Sequence, residues 1–245
     1  MIELKILMPI CALLFGYLIG GIPTSIIIGK VFYKQDPREF GSHNPGGTNA
    51  TRLWGKKVGF TIIAIDMFKS LLPTWVAILV FRLTDLNLES VMGNEAIMWG
   101  IWLAALGSVL GHCFSIYLKF TGGKGVSTYI GSLGTTNLFQ LFVGLGTFLG
   151  TLFSKRMVSL ASIVMSTIAC LISWIMYFVF NTGDSSVQNI INSMFIISPS
   201  IINMTVAYPV VVTLMTVVLI GRHWQNIERI KNGTEKLIKS KKITN

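Results

Sequence analysis

The stretch VSTYIGSLGTTNLFQLFVGLGTFLGTLF, which runs from Val126 to Phe153, decides how many times the chain crosses a membrane. Its 28 residues exceed the roughly 20 that one helix needs to cross the hydrocarbon core, and they fall short of two full crossings. Basic residues flank the stretch on both sides, at Lys124 and at Lys155. Because Lys and Arg concentrate in cytoplasmic loops, an even number of crossings should separate these two lysines. We therefore predict two short helices that turn near residues 135–137.

Five further stretches are apolar over about the length of one crossing. They are Ile6–Ile28, Val58–Phe81, Ala96–Leu118, Val158–Phe180 and Ile201–Ile220. With the two short helices, they predict an all-α integral membrane protein of seven transmembrane helices whose cytoplasmic glycine-rich loops form the functional site. Basic residues then share the cytoplasmic face, whereas residues 84–95 carry three acidic side chains. We expect the N-terminus outside, the C-terminus inside, and one membrane domain over residues 1–245 with a frayed basic tail, 236–245.

The composition agrees with a chain that lies in a bilayer. The 245 residues are 52% hydrophobic and only 12% charged, and the mean hydropathy is +0.66. This is more apolar surface than one soluble core of this size could bury. The net charge of +10 is compatible with nucleic acid, anionic lipid or an anionic substrate as partner. In a membrane protein, most of this excess marks the cytoplasmic loops.

The first predicted cytoplasmic loop, residues 41–52, reads GSHNPGGTNATR. Its glycines and its proline allow sharp turns that point backbone N–H groups inward. Polar side chains accompany them: Ser42, Asn44, Thr48, Asn49 and Arg52. A guanidinium presents a fork that fits phosphate oxygens. The loop therefore resembles a phosphate cradle, although it matches neither a Walker loop nor a dinucleotide fingerprint. A flexible polar connector is the alternative.

The second loop surrounds one lysine with glycines, in the order Gly122, Gly123, Lys124 and Gly125. Glycine allows the backbone to approach an anion closely, and the helix that follows would aim its positive N-terminal end at the same place. A tight turn that carries one cytoplasmic lysine would look the same. Because the loop is predicted on the same side as the first loop, we favour an anion site shared by both.

After the last span, His223, Asn226 and Ile230 recur at helical spacing, so the imidazole and the carboxamide could face one cavity. A histidine at the membrane edge that merely donates an interfacial hydrogen bond is the simpler interpretation.

Two charged residues, Asp66 and Lys69, lie three positions apart within the second span. Charges at membrane depth are costly, and this spacing puts both side chains on one helix face. We expect an internal ion pair here in preference to direct catalysis.

Four segments taken in order are more specific than any loop alone. They are Gly41-Ser42-x-Asn44-x-Gly46-x-Thr48-Asn49-x-x-Arg52, Leu110-Gly111-His112 leading to Gly122-Gly123-Lys124-Gly125-Val126, Val158-Ser159-Leu160-Ala161-Ser162, and His223-x-x-Asn226-Ile227-x-Arg229-x-x-x-Gly233-x-Glu235. Together they resemble the membrane glycerol-3-phosphate acyltransferases that use acyl phosphate as donor, the PlsY type. The sequence departs from that pattern at His43, where glycine is typical, and at Gly47, where alanine is typical. It departs also at Ala50 and Thr51, and residues 181–200 look long for the family.

The resemblance implies transfer of a fatty acyl group from acyl phosphate to the sn-1 hydroxyl of glycerol 3-phosphate. The products are lysophosphatidate and inorganic phosphate, in the first step of phospholipid synthesis on the cytoplasmic face of a bacterial plasma membrane. Carried over by motif, the catalytic residues would be Ser42, Arg52, Lys124, His223 and Asn226. The substrate-binding residues would be Asn44, Thr48, Asn49, Gly122, Gly123 and Ser162. We expect a monomer among membrane lipids, with no nucleic acid, metal or organic cofactor.

No protein base is evident for this reaction. Other glycerolipid acyltransferases use a histidine with an aspartate five positions later, whereas the three histidines of this chain are followed at that distance by Thr48, Tyr117 and Glu228. In line with the family, we expect a phosphate oxygen of glycerol 3-phosphate to take the hydroxyl proton, while Ser42, His223 and Asn226 orient the reacting groups.

Two functions of other classes remain alternatives. A transporter of a phosphorylated or anionic solute could also contain broken helices and basic loops, although we find no internal repeat that would support it. A scaffold that binds anionic lipid through residues 236–242 would explain the basic tail but not the glycine-rich loops.

Overall fold

The computed structural model describes residues 2–83, 92–193 and 204–238. The α-helices in these ranges are α1 (Ile2–Gly21), α2 (Thr24–Ile28), α3 (Gly47–Trp54), α4 (Lys56–Ile78), α5 (Asn94–Cys113), α6 (Val126–Thr136), α7 (Leu138–Lys155), α8 (Val158–Phe180), α9 (Ser185–Ser193), α10 (Ala207–Arg222) and α11 (Trp224–Lys231). Wider π-helical turns extend α2 through Tyr33 and α4 through Leu83. Most of the predicted acidic loop, residues 84–91, lies outside the described residues.

Five described helical segments are long and apolar enough to cross a membrane: Glu3–Tyr33, Lys56–Phe81, Asn94–Leu118, Leu138–Lys155 and Val158–Phe180. Helices α10 and α11 give a sixth if they are counted as one span, which is bent by 58°. Helix α6, with 11 residues, is too short to cross alone. The helical membrane architecture is confirmed, whereas the count of seven crossings stays a prediction.

The chain breaks at Asn137, within the turn that the charge pattern predicts between α6 and α7. Asn137 caps α7, since its side-chain oxygen accepts a hydrogen bond from the Gln140 N–H at 3.0 Å. The Gln140 carboxamide in turn donates to the Ala169 carbonyl of α8. Both side chains are fully buried. The helix break is thus stabilised by protein contacts and does not expose its backbone to lipid.

The first and last predicted spans differ from the observed helices. The first is interrupted after Gly21, because Pro23 has no N–H with which to continue the helix. The last was expected to begin at Ile201, but the described residues 204–206 precede the helix, which begins at Ala207. Pro209 fits there, since the first turn of a helix does not need its N–H.

Glycines bring α1 and α5 into backbone contact. A methyl group at Gly16 or Gly20 of α1 would collide with backbone atoms of α5, and one at Gly107 or Gly111 of α5 would collide with α1. Small residues at such spacing are typical of close helix pairs in membranes. This packing places the end of α5, at His112, beside the turn between α1 and α2.

Asp66 and Lys69 form the internal ion pair that the sequence predicts. Their side chains are 2.9 Å apart and almost fully buried. The Lys69 ammonium also donates to the Ile22 carbonyl at 2.8 Å, in the turn between α1 and α2. The His112 imidazole lies 4.0 Å from the Asp66 carboxylate. The pair therefore joins α4 to the turn after α1 and to the end of α5.

The apolar core lies between α4, α5, α8 and α10, where the Trp102 and Tyr208 rings are 4.6 Å apart. Outward-facing apolar side chains such as Phe142, Phe178 and Val217 are more than half exposed, as expected for surfaces that face lipid.

The C-terminal segment forms hydrogen bonds with the first loop and with the turn between α7 and α8. The Lys236 ammonium donates to the Gly41 carbonyl at 3.1 Å, and the Ile238 N–H donates to the Arg156 carbonyl at 2.8 Å. Fraying of the tail over residues 236–245 stays a prediction, and these two bonds lie within its first three residues. Residues 239–245 lie outside the described ranges. The first loop, the turn between α7 and α8 and the tail thus meet at one end of the helix bundle.

Candidate active site

The second glycine-rich loop packs directly against the end of α5. The Gly123 N–H donates to the His112 carbonyl at 2.9 Å. A methyl group at Gly122 would collide with the His112 carbonyl, and one at Gly123 would collide with the His112 imidazole. The glycines were expected to permit the approach of an anion, and the structure shows that close packing against His112 also requires them.

Beyond these glycines, the backbone presents unbonded N–H groups. Gly125 has φ 81°, a conformation that favours glycine, and it precedes the first turn of α6. Among the described residues, no group accepts a hydrogen bond from the N–H of Lys124 or Gly125. The first N–H groups of any helix also lack intrahelical partners and carry partial positive charge. This backbone is therefore suited to bind an anion.

A hydrogen-bonded network connects Lys124 to the C-terminal segment. The Lys124 ammonium donates to the Asn226 carboxamide oxygen at 2.6 Å, and the Asn226 nitrogen donates to Ser159 at 2.7 Å and to Glu235 at 2.8 Å. Ser159 also donates to Glu235, whose second oxygen accepts from Arg229 at 2.8 Å. Asn226, which is only 4% exposed, therefore holds Lys124 in a fixed position.

The site carries more positive charge than its own carboxylate can neutralise. Burial lowers the pKa of Lys124 to about 8, although the Glu235 carboxylate opposes that change. Arg229, Arg222 and Arg52 lower the pKa of Lys124 further. Burial would raise the pKa of Glu235, but hydrogen bonds from its neighbours outweigh burial and lower the pKa. A bound anion would relieve the repulsion among these cations.

In the first loop, Asn49 is buried, and its side chain is bonded to backbone groups of the loop and of the segment just before it. Its side-chain oxygen accepts from the Ser42 N–H at 3.0 Å, and its nitrogen donates to the carbonyls of Pro37 and Phe40. These bonds hold Ser42 in place, and the expectation that Asn49 also binds substrate stays a prediction.

His43 has φ 55°, a backbone conformation that is strained for residues other than glycine. The conformation explains why glycine is typical at this position in the family that the sequence resembles. The imidazole forms a hydrogen bond with the Arg38 carbonyl at 2.8 Å, which fixes the ring against the loop.

The remaining predicted side chains of the first loop have no bonded partner among the described residues: Ser42, Asn44, Thr48 and Arg52. Thr48 lies in the first turn of α3, and Arg52 lies in its last turn and is exposed. Arg52 is near enough to Lys124 to affect its pKa. Its guanidinium is thus available to an anion beside Lys124.

His223 lies at the junction of α10 and α11, one turn before Asn226, and it is 2% exposed. Its Nδ1 is 2.8 Å from the Leu219 carbonyl. Because a carbonyl can only accept, Nδ1 must carry the proton, and Nε2 of the neutral ring is left as an acceptor.

Ser159 belongs to the site, although the sequence alone indicated Ser162. The segment Val158–Ser162 holds two serines on one helix face, and Ser162 was predicted to bind substrate. The structure shows Ser162 bonded back to the Val158 carbonyl at 2.8 Å. Glu235 and Arg229 were likewise noted only as parts of a motif, and both join the network around Asn226.

A polar crevice lies beside the second loop, between the turn after α1 and the Asp66–Lys69 pair. Thr24, Pro45, His112 and Gly122 contribute to its lining. The lining includes neither Lys124 nor Asn226, so the hydrogen-bonded network marks the candidate site better than this crevice does.

Known proteins share both the sequence and the fold. The glycerol-3-phosphate acyltransferase family model matches residues 10–233. The glycerol-3-phosphate acyltransferase of Macrococcus caseolyticus is 35% identical over 230 residues, which cover 94% of this chain and 97% of the relative. That of Acholeplasma laidlawii is 34% identical over 249 residues, which cover 99% and 98%.

The fold is similar to that of PlsY (YgiH), an integral membrane glycerol 3-phosphate acyltransferase. Its glycerol 3-phosphate form gives a TM-score of 0.71 at 28% identity, covering 94% of this chain and 96% of that one. Its lysophosphatidic acid form gives a TM-score of 0.69 at 28% identity, with 94% and 95% covered. This chain therefore belongs to the glycerol-3-phosphate acyltransferase family, and it is an integral membrane protein of the PlsY type.

Proposed function

We propose that the protein transfers a fatty acyl group from acyl phosphate to the sn-1 hydroxyl of glycerol 3-phosphate. The observation that carries this proposal is the partly buried Lys124–Asn226 hydrogen bond, set among arginines and unbonded backbone N–H groups, in a chain of this family. The relative of known structure has glycerol 3-phosphate and lysophosphatidic acid forms, which supports the same acceptor and product here.

The cations would act as clamps on two phosphates. An acyl phosphate is a mixed anhydride whose leaving group is inorganic phosphate, so catalysis mainly requires two anions to be held together. Lys124, with the N–H groups that follow it, would stabilise one phosphate, and Arg52 would stabilise the other. Negative charge that develops as phosphate departs would be neutralised by the same groups.

The reaction balances without a protein base. The acceptor hydroxyl oxygen forms a bond to the acyl carbon, and the bond between that carbon and the phosphate oxygen breaks. The hydroxyl proton moves to a phosphate oxygen of glycerol 3-phosphate, whose second pKa is about 6. Inorganic phosphate leaves with the electron pair. Ser42, His223 and Asn226 would orient these groups, and Asn49 would hold Ser42 in place.

Further substrate contacts are proposed for Asn44, Thr48, Asn49, Gly122, Gly123 and Ser162. Of these, Thr48 and Asn44 have side chains with no bonded partner among residues 2–83, 92–193 and 204–238. Ser162 lies one turn beyond Ser159 on the same face of α8, where a substrate could displace its bond to Val158.

The site would face the cytoplasm of a bacterial cell, with seven crossings, the N-terminus outside, and a monomer as the working unit. The contacts Lys236–Gly41 and Ile238–Arg156 support this orientation, because they bring three basic segments to the end of the bundle that holds Lys124. The family membership leaves the transporter alternative without support.

Formation of labelled lysophosphatidate tests both the donor and the reaction. Purified protein in detergent would receive labelled glycerol 3-phosphate with either palmitoyl phosphate or palmitoyl coenzyme A. We expect product when palmitoyl phosphate is the donor and no product when palmitoyl coenzyme A is the donor. Product with palmitoyl coenzyme A and none with palmitoyl phosphate would refute acyl phosphate as the donor. Absence of product together with uptake of glycerol 3-phosphate into vesicles would favour transport.

A further inference from the structure

We propose that Arg222 is a positioning residue that sets the orientation of the Gly122 and Gly123 peptide groups, so that the Gly123 N–H faces the His112 carbonyl and the Lys124 N–H faces the substrate phosphate. The inference rests on the proposed function, because it assigns a role in binding that phosphate. Arg222 immediately precedes the motif that begins at His223, and the mechanism above does not use it as a ligand.

The guanidinium holds the loop through two carbonyls. Its Nε donates to the Gly123 carbonyl at 3.1 Å, and its Nη2 donates to the Gly122 carbonyl at 2.9 Å. The Arg222 guanidinium carbon also lies 5.4 Å from the centre of the Phe114 ring, which adds a cation–π contact. Arg222 at the end of α10 is thereby fixed between the second loop and the chain that follows α5.

Peptide geometry links these bonds to the anion site. The carbonyl and the N–H of one peptide unit point in opposite directions. With the carbonyls of Gly122 and Gly123 directed at Arg222, the next two N–H groups must point away from it. The Gly123 N–H donates to the His112 carbonyl, whereas no described group accepts from the Lys124 N–H. A peptide rotated the other way would aim a carbonyl oxygen at the phosphate and repel it.

The fork geometry is specific to arginine. Two adjacent carbonyls accept from the Nε and Nη2 edge, which a planar guanidinium offers in fixed geometry and an ammonium does not. That edge is therefore not available to bind a phosphate itself. Lysine at this position would keep the positive charge but lose the paired bonds.

The test compares Arg222→Ala and Arg222→Lys with Lys231→Ala, a control that removes an exposed cytoplasmic charge one helix away. The KM for glycerol 3-phosphate and the amide hydrogen exchange of residues 121–128 would be measured in detergent. Both Arg222 variants should raise KM and accelerate exchange by about tenfold or more, since charge-assisted bonds are lost. Lys231→Ala should change neither. If Arg222→Ala fails to fold, Arg222→Lys gives the comparison.

Two results would overturn the inference. If Arg222→Lys had the same KM and the same amide exchange as the wild-type protein, a positive charge at this position would be enough to orient the loop. A raised KM with unchanged exchange would mean that Arg222 contacts substrate directly. The exchange measurement does not require turnover, so a wild-type protein that transfers no acyl group would refute the proposed function separately.

Discussion

Lys124 carries its charge where burial disfavours it, and this predicts a pH dependence. Its pKa is lowered to about 8, so the free enzyme loses the Lys124 proton as pH rises through that value. An ordinary lysine would remain charged there. Because the protonated form binds phosphate, kcat/KM for glycerol 3-phosphate should fall above pH 8.

The Lys124→Arg variant provides the control for this prediction. Arginine stays protonated over the whole range, so the alkaline fall in kcat/KM should disappear if the variant retains activity. A fall at the same pH in Lys124→Arg would assign the titration to another group.

At His223, we predict that replacement by glutamine lowers the rate without abolishing it. The imidazole is expected to orient a reacting group and not to remove the proton, and a carboxamide can supply one hydrogen bond in its place. Loss of kcat should be about ten- to hundredfold, at the low end of what a proton-transferring residue contributes. Complete loss in protein of normal expression and melting temperature would point to a base.

Sequence reasoning reached part of this site at the level of single residues. Lys124 and Asn226 were predicted from separate motifs, and the structure brings them into direct contact. It named Ser162 and not Ser159, because both lie on one face of α8 and only tertiary packing decides which serine meets Asn226. The bonding of the Asn49 side chain to backbone groups was equally invisible in a sequence.

Among the elements, the second loop gives the sharpest test of packing. Gly123→Ala would place a methyl group against the His112 imidazole. Overpacking of this kind costs roughly 1–3 kcal/mol of folding free energy, and displacement of Lys124 should also raise the KM for glycerol 3-phosphate. The melting temperature and the steady-state kinetics of the purified variant measure these effects.

Gly146→Ala on α7 is the matched control, since no atom beyond its chain neighbours and the adjacent backbone of its own helix lies within 4 Å of the added methyl group. It should leave KM unchanged and stabilise the helix by up to about 1 kcal/mol, because alanine is the better helix former. If Gly123→Ala and Gly146→Ala had the same KM and melting temperature, the His112 side chain would be able to move aside without a loss of binding or stability.

Element boundaries were predictable where charge constrained them. The break at Asn137 followed from the lysines on either side of the stretch, and an asparagine cap stabilises it. The interruption at Pro23 was missed because a continuous apolar run was weighed above the missing N–H of proline. The start of the last span was placed too early for a similar reason, since hydropathy alone does not locate a helix cap.

For the whole molecule, the distribution of basic residues predicts the orientation. A reporter that works only outside the cytoplasm should be inactive when fused after Lys155 and active when fused after Asp184, since α8 separates the two positions. Fusion proteins in a bacterial host, scored for reporter activity at equal expression, measure this. The reverse pattern would place Lys124 on the outer face.

The number of crossings is also a property of the whole molecule. Composition and length identify an all-helical membrane protein directly, and within the described part of the chain six segments meet the length and hydropathy that a crossing needs, if α10 and α11 are joined. Helix α6 does not, because it is 11 residues long. Its assignment as a crossing depends on charge and on its pairing with α7, which only a topology measurement decides.

Release of inorganic phosphate is the direct measure of acyl transfer from acyl phosphate at a site that contains Lys124. Purified protein in detergent would receive palmitoyl phosphate and glycerol 3-phosphate, together and separately, beside Lys124→Ala and the exposed-charge control Lys231→Ala. We predict release that requires both substrates, persists in Lys231→Ala and falls by about a hundredfold or more in Lys124→Ala. No release from well-folded wild-type protein, or equal release from Lys124→Ala, would contradict an acyltransferase site built on Lys124.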